Sequence, residues 1–222
     1  MTTPQSFPSD AHHLDLVAHY LRARARRIGL QLQAEDNERA YVRPGHRTLG
    51  HQDQLADKER ERRIAAAEGR EHALLRELEA REEVHRRSSK PPLGIDQICE
   101  GSRLGPQERL VLLAAAVVAI SERIAQQVVE PLDVACMMRL TVEGAIRLLE
   151  PEDGLVGCVA ARRMFTAHSA LVSSGLLVVE HCSPAAVPDA LPGAYLAITS
   201  KAFTALTGLN EIEDKRGQGH AG

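Results

Sequence analysis

The sequence predicts a mainly α protein, in which an extended helical N-terminal region over residues 1–92 precedes a helical domain over residues 93–209 carrying a two-stranded β-wing. Three observations predict it. The run from Leu110 to Ile120 is apolar without interruption. Eleven residues at helical rise fall short of the roughly 30 Å of hydrocarbon in a bilayer, which takes about 20. The run therefore belongs inside the protein, and a helix apolar on all sides lies at the centre of a domain. Upstream, two long stretches repeat their apolar residues at the three-and-four spacing of helices. Downstream, two short β-type stretches flank a Pro-rich loop.

In "DAHHLDLVAHYLRARARRIGL" the residues Leu14, Val17, Leu21, Ala25 and Ile28 make one apolar stripe, with Ser9 or Asp10 as cap. A loop is expected over residues 35–54, where Pro44-Gly45 and Gly50 break any helix and no period survives. The stretch "LADKERERRIAAAEGREHALLRELEAREEVHRRSS" then reads as a long exposed helix. It carries Glu59 to Arg63, Glu77 to Arg81, Glu82 to Arg86 and Glu83 to Arg87 at a spacing of four. Its stripe of Ile64, Ala67, Leu74, Leu75 and Leu78 is thin and suits one partner, either the first helix or another chain. An oligomer through this charged helix is accordingly one expectation. "SSKPP" ends the helix at Ser88 to Pro92, and the domain boundary is placed there.

In the second part Gly105 caps, Pro106 takes the first helical position, and Glu108 sits near the positive end of the helix dipole. Ser121 starts a more polar helix that Pro131 limits. Thr141 caps the next, whose buried side is Val142, Ala145, Ile146 and Leu149. "LVGCVAARRMFTAHSALVSSGLL" reads as one helix or two, with Thr166 as internal cap and Gly175 as the stop. "LLVVEH" and "AYLAIT" pair antiparallel through "CSPAAVPDALPG", and a last helix is capped by Ser200. The tail, 210–222, has too little apolar content to fold.

Charge and cysteine content exclude several classes. Residues 1–92 carry seventeen Lys and Arg against fifteen Asp and Glu, a net of +2, and residues 93–222 carry ten against fifteen, a net of −5. Neither has the basic excess of a module that relies on neutralising phosphates. Cys99, Cys136, Cys158 and Cys182 are too far apart for a metal knuckle or redox pair and read as reduced, buried thiols. "MTTPQSFPSDAHHLDL" has neither a basic nor an apolar leader region, which places the protein in the cytoplasm, with no membrane association.

Helices followed by strand, loop and strand form the winged-helix arrangement. Moreover, "LGPQERLVLLAAAVVAIS", "MRLTVEGAIRLL" and "HSALVSSGLLVVE" resemble, in order and spacing, the winged-helix region that precedes the ATPase module in a group of bacterial AAA+ ATPases, some associated with contractile injection systems. The resemblance covers residues 93–209, with a weaker echo in the two helices before. It implies a non-catalytic appendage that binds a partner or regulates. The sequence departs from that group where the phosphate-binding Gly-x-x-x-x-Gly-Lys-Ser/Thr would come: none of Lys58, Lys90, Lys201 and Lys215 follows a glycine, and the chain reaches Gly222 where the ATPase module would begin. The expectation is the N-terminal part of, or a partner to, such an ATPase, with no ATP hydrolysis of its own.

The alternative is a DNA-binding regulator, because winged helices often lay a helix in the major groove and a basic wing on the backbone. Arg162, Arg163 and His168 stand in the right stretch, yet the wing from His181 to Gly193 has no Lys or Arg and contains Asp189. Arg162 and Arg163 fit better as partners of carbonyls or carboxylates. The cluster from Arg22 to Arg27 is the most basic spot; Arg22 and Arg26 share one helix face and Arg24 and Arg27 another, so a solvated surface that meets the Glu-rich helix is expected. Arg22, Arg26, Arg162, Arg163 and His168 are the candidate interaction residues. No two of the ten histidines are four apart, no Gly-x-Ser-x-Gly elbow occurs, and no catalytic residue, metal or cofactor is expected.

Overall fold

A computed structural model describes residues 4–41, 51–132, 138–150, 154–180 and 193–208. The wing loop, the tail, Cys136, Cys182 and the centre of the expected loop, residues 42–50, lie outside them. Helix α1 (Asp10–Tyr41) buries Leu14, Val17, Leu21, Ala25 and Ile28, as its periodicity requires. It runs on to Tyr41, and α2 (His51–Arg87) begins directly after Gly50, so both ends of the stretch expected to be loop, residues 35–41 and 51–54, are helical. The polar stretch after Glu35 holds no Pro or Gly before Pro44, and polarity alone does not end a helix.

Helix α2 lies antiparallel along α1, since Glu82 meets His13 while Glu71 meets Arg24. Leu78 is buried and Leu74 and Leu75 pack on the core. The stripe that an oligomer through α2 would need is thus largely covered from within the chain. Helix α3 (Gly94–Ser102) leads to α4 (Pro106–Ile120), whose first turn is closed by Gly105 donating its N–H to Glu108 Oε2 at 2.7 Å. Val111 to Val117 are buried without a break, which gives α4 the central place its composition predicts. Its last turn emerges: Ile120 is 44% exposed. Ser121 adopts an extended backbone and starts α5 (Glu122–Val129), which tightens into a 3₁₀ turn, Glu130–Leu132.

Helix α6 (Val142–Leu149) is capped by Thr141, whose Oγ1 accepts the Gly144 N–H at 3.0 Å. The segment after it divides into α7 (Gly154–Arg162), a 3₁₀ turn (Arg163–Phe165) and α8 (Ala170–Ser173). Ser169 caps α8, accepting from the Val172 N–H at 3.3 Å. Thr166, the expected cap, instead donates its hydroxyl back to the Arg163 carbonyl at 2.9 Å. Gly175, at φ +65°, supplies the left-handed turn into β1 (Leu177–Glu180). Strand β2 (Tyr195–Ile198) returns antiparallel, with Leu177 opposite Ile198 and Glu180 opposite Tyr195. The sequence does not announce a third rung: Thr141 bridges Tyr195, and Leu196 donates its N–H to the Leu140 carbonyl at 2.8 Å. Helix α9 (Ser200–Thr207) follows, capped by Thr199, one residue before the expected Ser200.

One hydrophobic cluster joins Leu14, Val17 and Leu21 of α1 to Leu78, Leu112, Ile146, Phe165 and Leu196. The core therefore crosses the boundary expected at Ser88 to Pro92. Gly29 shows how closely the parts approach: a Cβ built there would stand 2.4 Å from the Pro131 carbonyl oxygen. Gly29→Ala should improve local helix propensity by about 1 kcal/mol, yet backbone cannot yield as a side chain does. A net destabilisation of about 1–3 kcal/mol is expected. Urea denaturation checks it, and a variant more stable than the parent would contradict the close approach.

Candidate functional site

Three of the five candidate residues fall on α7 and the turns after it. Glu143, near the start of α6, holds two cations: Arg147 donates Nε–H to its Oε1 at 3.4 Å, and Arg162 donates from Nη2 to its Oε2 at 3.2 Å. Arg162 is thus paired with a carboxylate, which it shares with Arg147. Arg163 and His168 are exposed, and the Arg163 carbonyl is engaged by Thr166. At the foot of the wing Arg139 is paired with Glu180 at 3.0 Å and lies over the Tyr195 ring.

The property of α7 that bears on binding is apolar rather than basic: Val156 is 73% and Val159 50% exposed, and Ala160 is exposed beside them. Spacings of three and four put these side chains on one helix face. Ala161 and Phe165 bury the opposite side against the core. Sequence reasoning missed this face because it sought cations in the segment. A count of its apolar residues against the two available faces was the signal, since Val156, Val159 and Ala161 cannot all point inward.

The remaining candidates, Arg22 and Arg26, line a separate groove between α1, α2 and the end of α5. Their neighbours meet the Glu-rich helix as expected, but from a largely buried position. Arg24 and Arg27 are not on a solvated face: Arg24 donates to Glu71 at 2.8 Å and meets Glu150 at 3.0 Å, and Arg27 donates Nε–H to Glu71 Oε2 at 2.5 Å and Nη1–H to Glu150 Oε1 at 2.8 Å. Hydrogen bonding to Glu150, opposed by burial and reinforced by Glu71, raises the Arg27 pKa. Arg24 also donates Nε–H to the Leu148 carbonyl at 2.6 Å, placing a cation at the negative end of α6. These contacts bolt α6, and with it α7, to the long helices.

A second polar tie fastens the other end. His13 is 1% exposed and bonds Glu82 Oε1 at 2.7 Å, and Arg109 reaches Glu82 at 3.2 Å and Asp96 at 3.0 Å. Burial pushes the Glu82 carboxyl up, but His13 and Arg109 outweigh it and hold the pKa below its ordinary value. Cys99 and Cys158 are free thiols, half-buried rather than fully enclosed as the sequence suggests. Burial raises the Cys99 thiol, which makes it a poor nucleophile. Among the described residues no three His, Cys, Asp or Glu side chains are grouped to hold a metal ion, and no helix is long and apolar enough to cross a membrane.

A family model described as "Winged helix domain, variant" matches residues 4–219. No curated protein matches the chain, and no solved structure does.

Proposed function

The chain belongs to the variant winged-helix domain family, and from that premise we propose that it is a non-catalytic docking module whose α7 face engages a protein partner. The exposed Val156, Val159 and Ala160 carry the reading. A helix that reads DNA needs donors toward base edges and cations toward phosphates. Here α7 offers methyl groups, and Arg162 is paired with Glu143. Apolar contact of that kind suits the centre of a protein interface, where charged residues are depleted.

The partner proposed is an AAA+ ATPase module, joined to this domain in the same chain or met in trans. Three sequence stretches support it, "LGPQERLVLLAAAVVAIS", "MRLTVEGAIRLL" and "HSALVSSGLLVVE", through their resemblance to the region before that module in bacterial ATPases. The proposal gives the domain no chemistry of its own and leaves hydrolysis to the partner.

The test pairs the chain with an AAA+ module from the same genome, chosen by its P-loop. Val156→Asp with Val159→Asp should weaken binding at least ten-fold, equivalent to about 1.4 kcal/mol, in a titration by light scattering or calorimetry. Both side chains are exposed, so the melting temperature should hold. Failure to bind any such module, or a salt-sensitive shift of duplex DNA lost on Arg163→Ala, would overturn the reading.

A further inference from the structure

The groove that holds Arg22 and Arg26 measures about 630 Å³, within the range of small-ligand sites. Its rim is cationic: Arg22 and Arg26 from α1, beside the His19 ring, face Arg63 and Arg70 from α2. Small side chains make the concavity, because Ala23, Ala66 and Ala67 stand where the two helices meet. No Asp or Glu is among the described residues that line it. Asp15 lies 4.0 Å from His19 and is itself 74% exposed.

Helix α1 sorts its arginines. Arg24 and Arg27 turn inward and are neutralised by Glu71 and Glu150. Arg22 is held by neutral acceptors only: Nε–H donates to the Ala18 carbonyl at 3.1 Å, Nη1 to Gln127 Oε1 at 2.9 Å, and Nη2 to His19 Nδ1 at 3.1 Å. Its orientation is set while its charge stays unbalanced. Arg26, Arg63 and Arg70 have no hydrogen bond or ion pair among the described residues. Spacing alone would give Arg63 to Glu59, but Glu59 lies 4.0 Å from Arg62 instead. Like charges gathered around a low-dielectric concavity repel one another and concentrate the field that attracts a counter-ion.

The residue types specify the anion. Guanidinium groups match phosphate oxygens in a two-pronged geometry that an ammonium lacks, and the rim uses arginine with no lysine. Arg22 and Arg26 are one turn apart and Arg63 and Arg70 about two, roughly 10 Å, so a single phosphate cannot reach all of them. With alanines in the wall and no aromatic side chain other than the His19 ring among the lining residues, there is no broad platform to stack a base. We propose that the groove between α1 and α2 binds an oligophosphate anion, several phosphate groups in a row, recognised through its charges. The chain of phosphates, whether free or attached to a nucleoside, is the recognised element. This stands independently of the α7 face.

Calorimetric titration at low ionic strength tests it, with sodium tripolyphosphate in one arm and ATP in the other. Saturable binding of tripolyphosphate is expected, weakening as salt is raised and falling at least ten-fold in Arg26→Gln with Arg63→Gln and Arg70→Gln. These side chains are exposed and make no hydrogen bond or ion pair among the described residues, so the unliganded variant should melt with the parent. Tripolyphosphate should raise the melting temperature of the parent and leave that of the variant in place. Absence of saturable binding, binding equal in parent and variant, or binding of ATP without tripolyphosphate would overturn the proposal.

Discussion

Leu113→Asp should abolish cooperative folding of the whole chain, helices α1 and α2 included. Leu113 is 3% exposed in the centre of α4, within the apolar cluster, where a carboxylate would stand among hydrocarbon side chains. Burying an unpaired charge costs several kcal/mol even after it takes up a proton. A domain has only about 5–15 kcal/mol of stability to lose. Because α1 contributes Leu14, Val17 and Leu21 to the same cluster, its helicity disappears with that of the winged part. Far-UV circular dichroism during heating reads this directly. Leu113→Met, which keeps the volume, should cost less than about 1.5 kcal/mol and retain a single transition. A soluble Asp variant that melts cooperatively near the parent would place Leu113 outside the core.

Glu71→Gln is expected to lower stability by about 3–5 kcal/mol, the cost of breaking a buried ion pair from one side. The Glu71 side chain is only 4% exposed and receives both Arg24 and Arg27. Glu150, which is 34% exposed, cannot balance two guanidinium groups by itself. Replacing Arg27 by Met in the same chain should recover part of the loss, since one stranded cation is then gone. A double-mutant cycle by urea denaturation gives the coupling. A loss below about 1 kcal/mol for Glu71→Gln, typical of an exposed pair, would show that the network is solvated. The result matters for binding as well, since these residues fix α6, and through it α7, on the long helices.

The elements were legible where the signal was local. Leu110 to Ile120 announced a buried helix, Gly105-Pro106 its start, Thr141 a cap and Gly175 a turn into a strand. Capping failed by small margins at Thr166 and Ser200, where Ser169 and Thr199 take the role, because several neighbouring hydroxyls compete and packing chooses among them. The paired arginines were harder. Glu71 sits on the apolar stripe of α2, between Ala67 and Leu74, and Glu82 follows Leu78 by one turn. A carboxylate at a position meant for a hydrophobe signals a buried partner, and the charge-rich context hid that signal. The i to i+4 pairs read from spacing were only partly formed: Glu77 meets Arg81 and Glu83 meets Arg87, while Glu82 turns away from Arg86 to His13 and Arg109. A buried partner outcompetes an exposed one.

By itself the sequence determined most of the helices and both strands, that the oiliest helix is central, and that the fold is a winged helix; it did not mark α3 or the full lengths of α1 and α2. Periodicity, glycine conformation and capping act over a few residues, so they are written in the order of residues. Tertiary structure alone decided that the N-terminal helices share the winged part's core, that Arg24 and Arg27 turn inward while Arg22 and Arg26 face a groove, and that α7 shows methyl groups to solvent. Those outcomes depend on which carboxylates and surfaces arrive from dozens of residues away, and burial, which sets the strength of every charge, exists only once the chain has closed on itself.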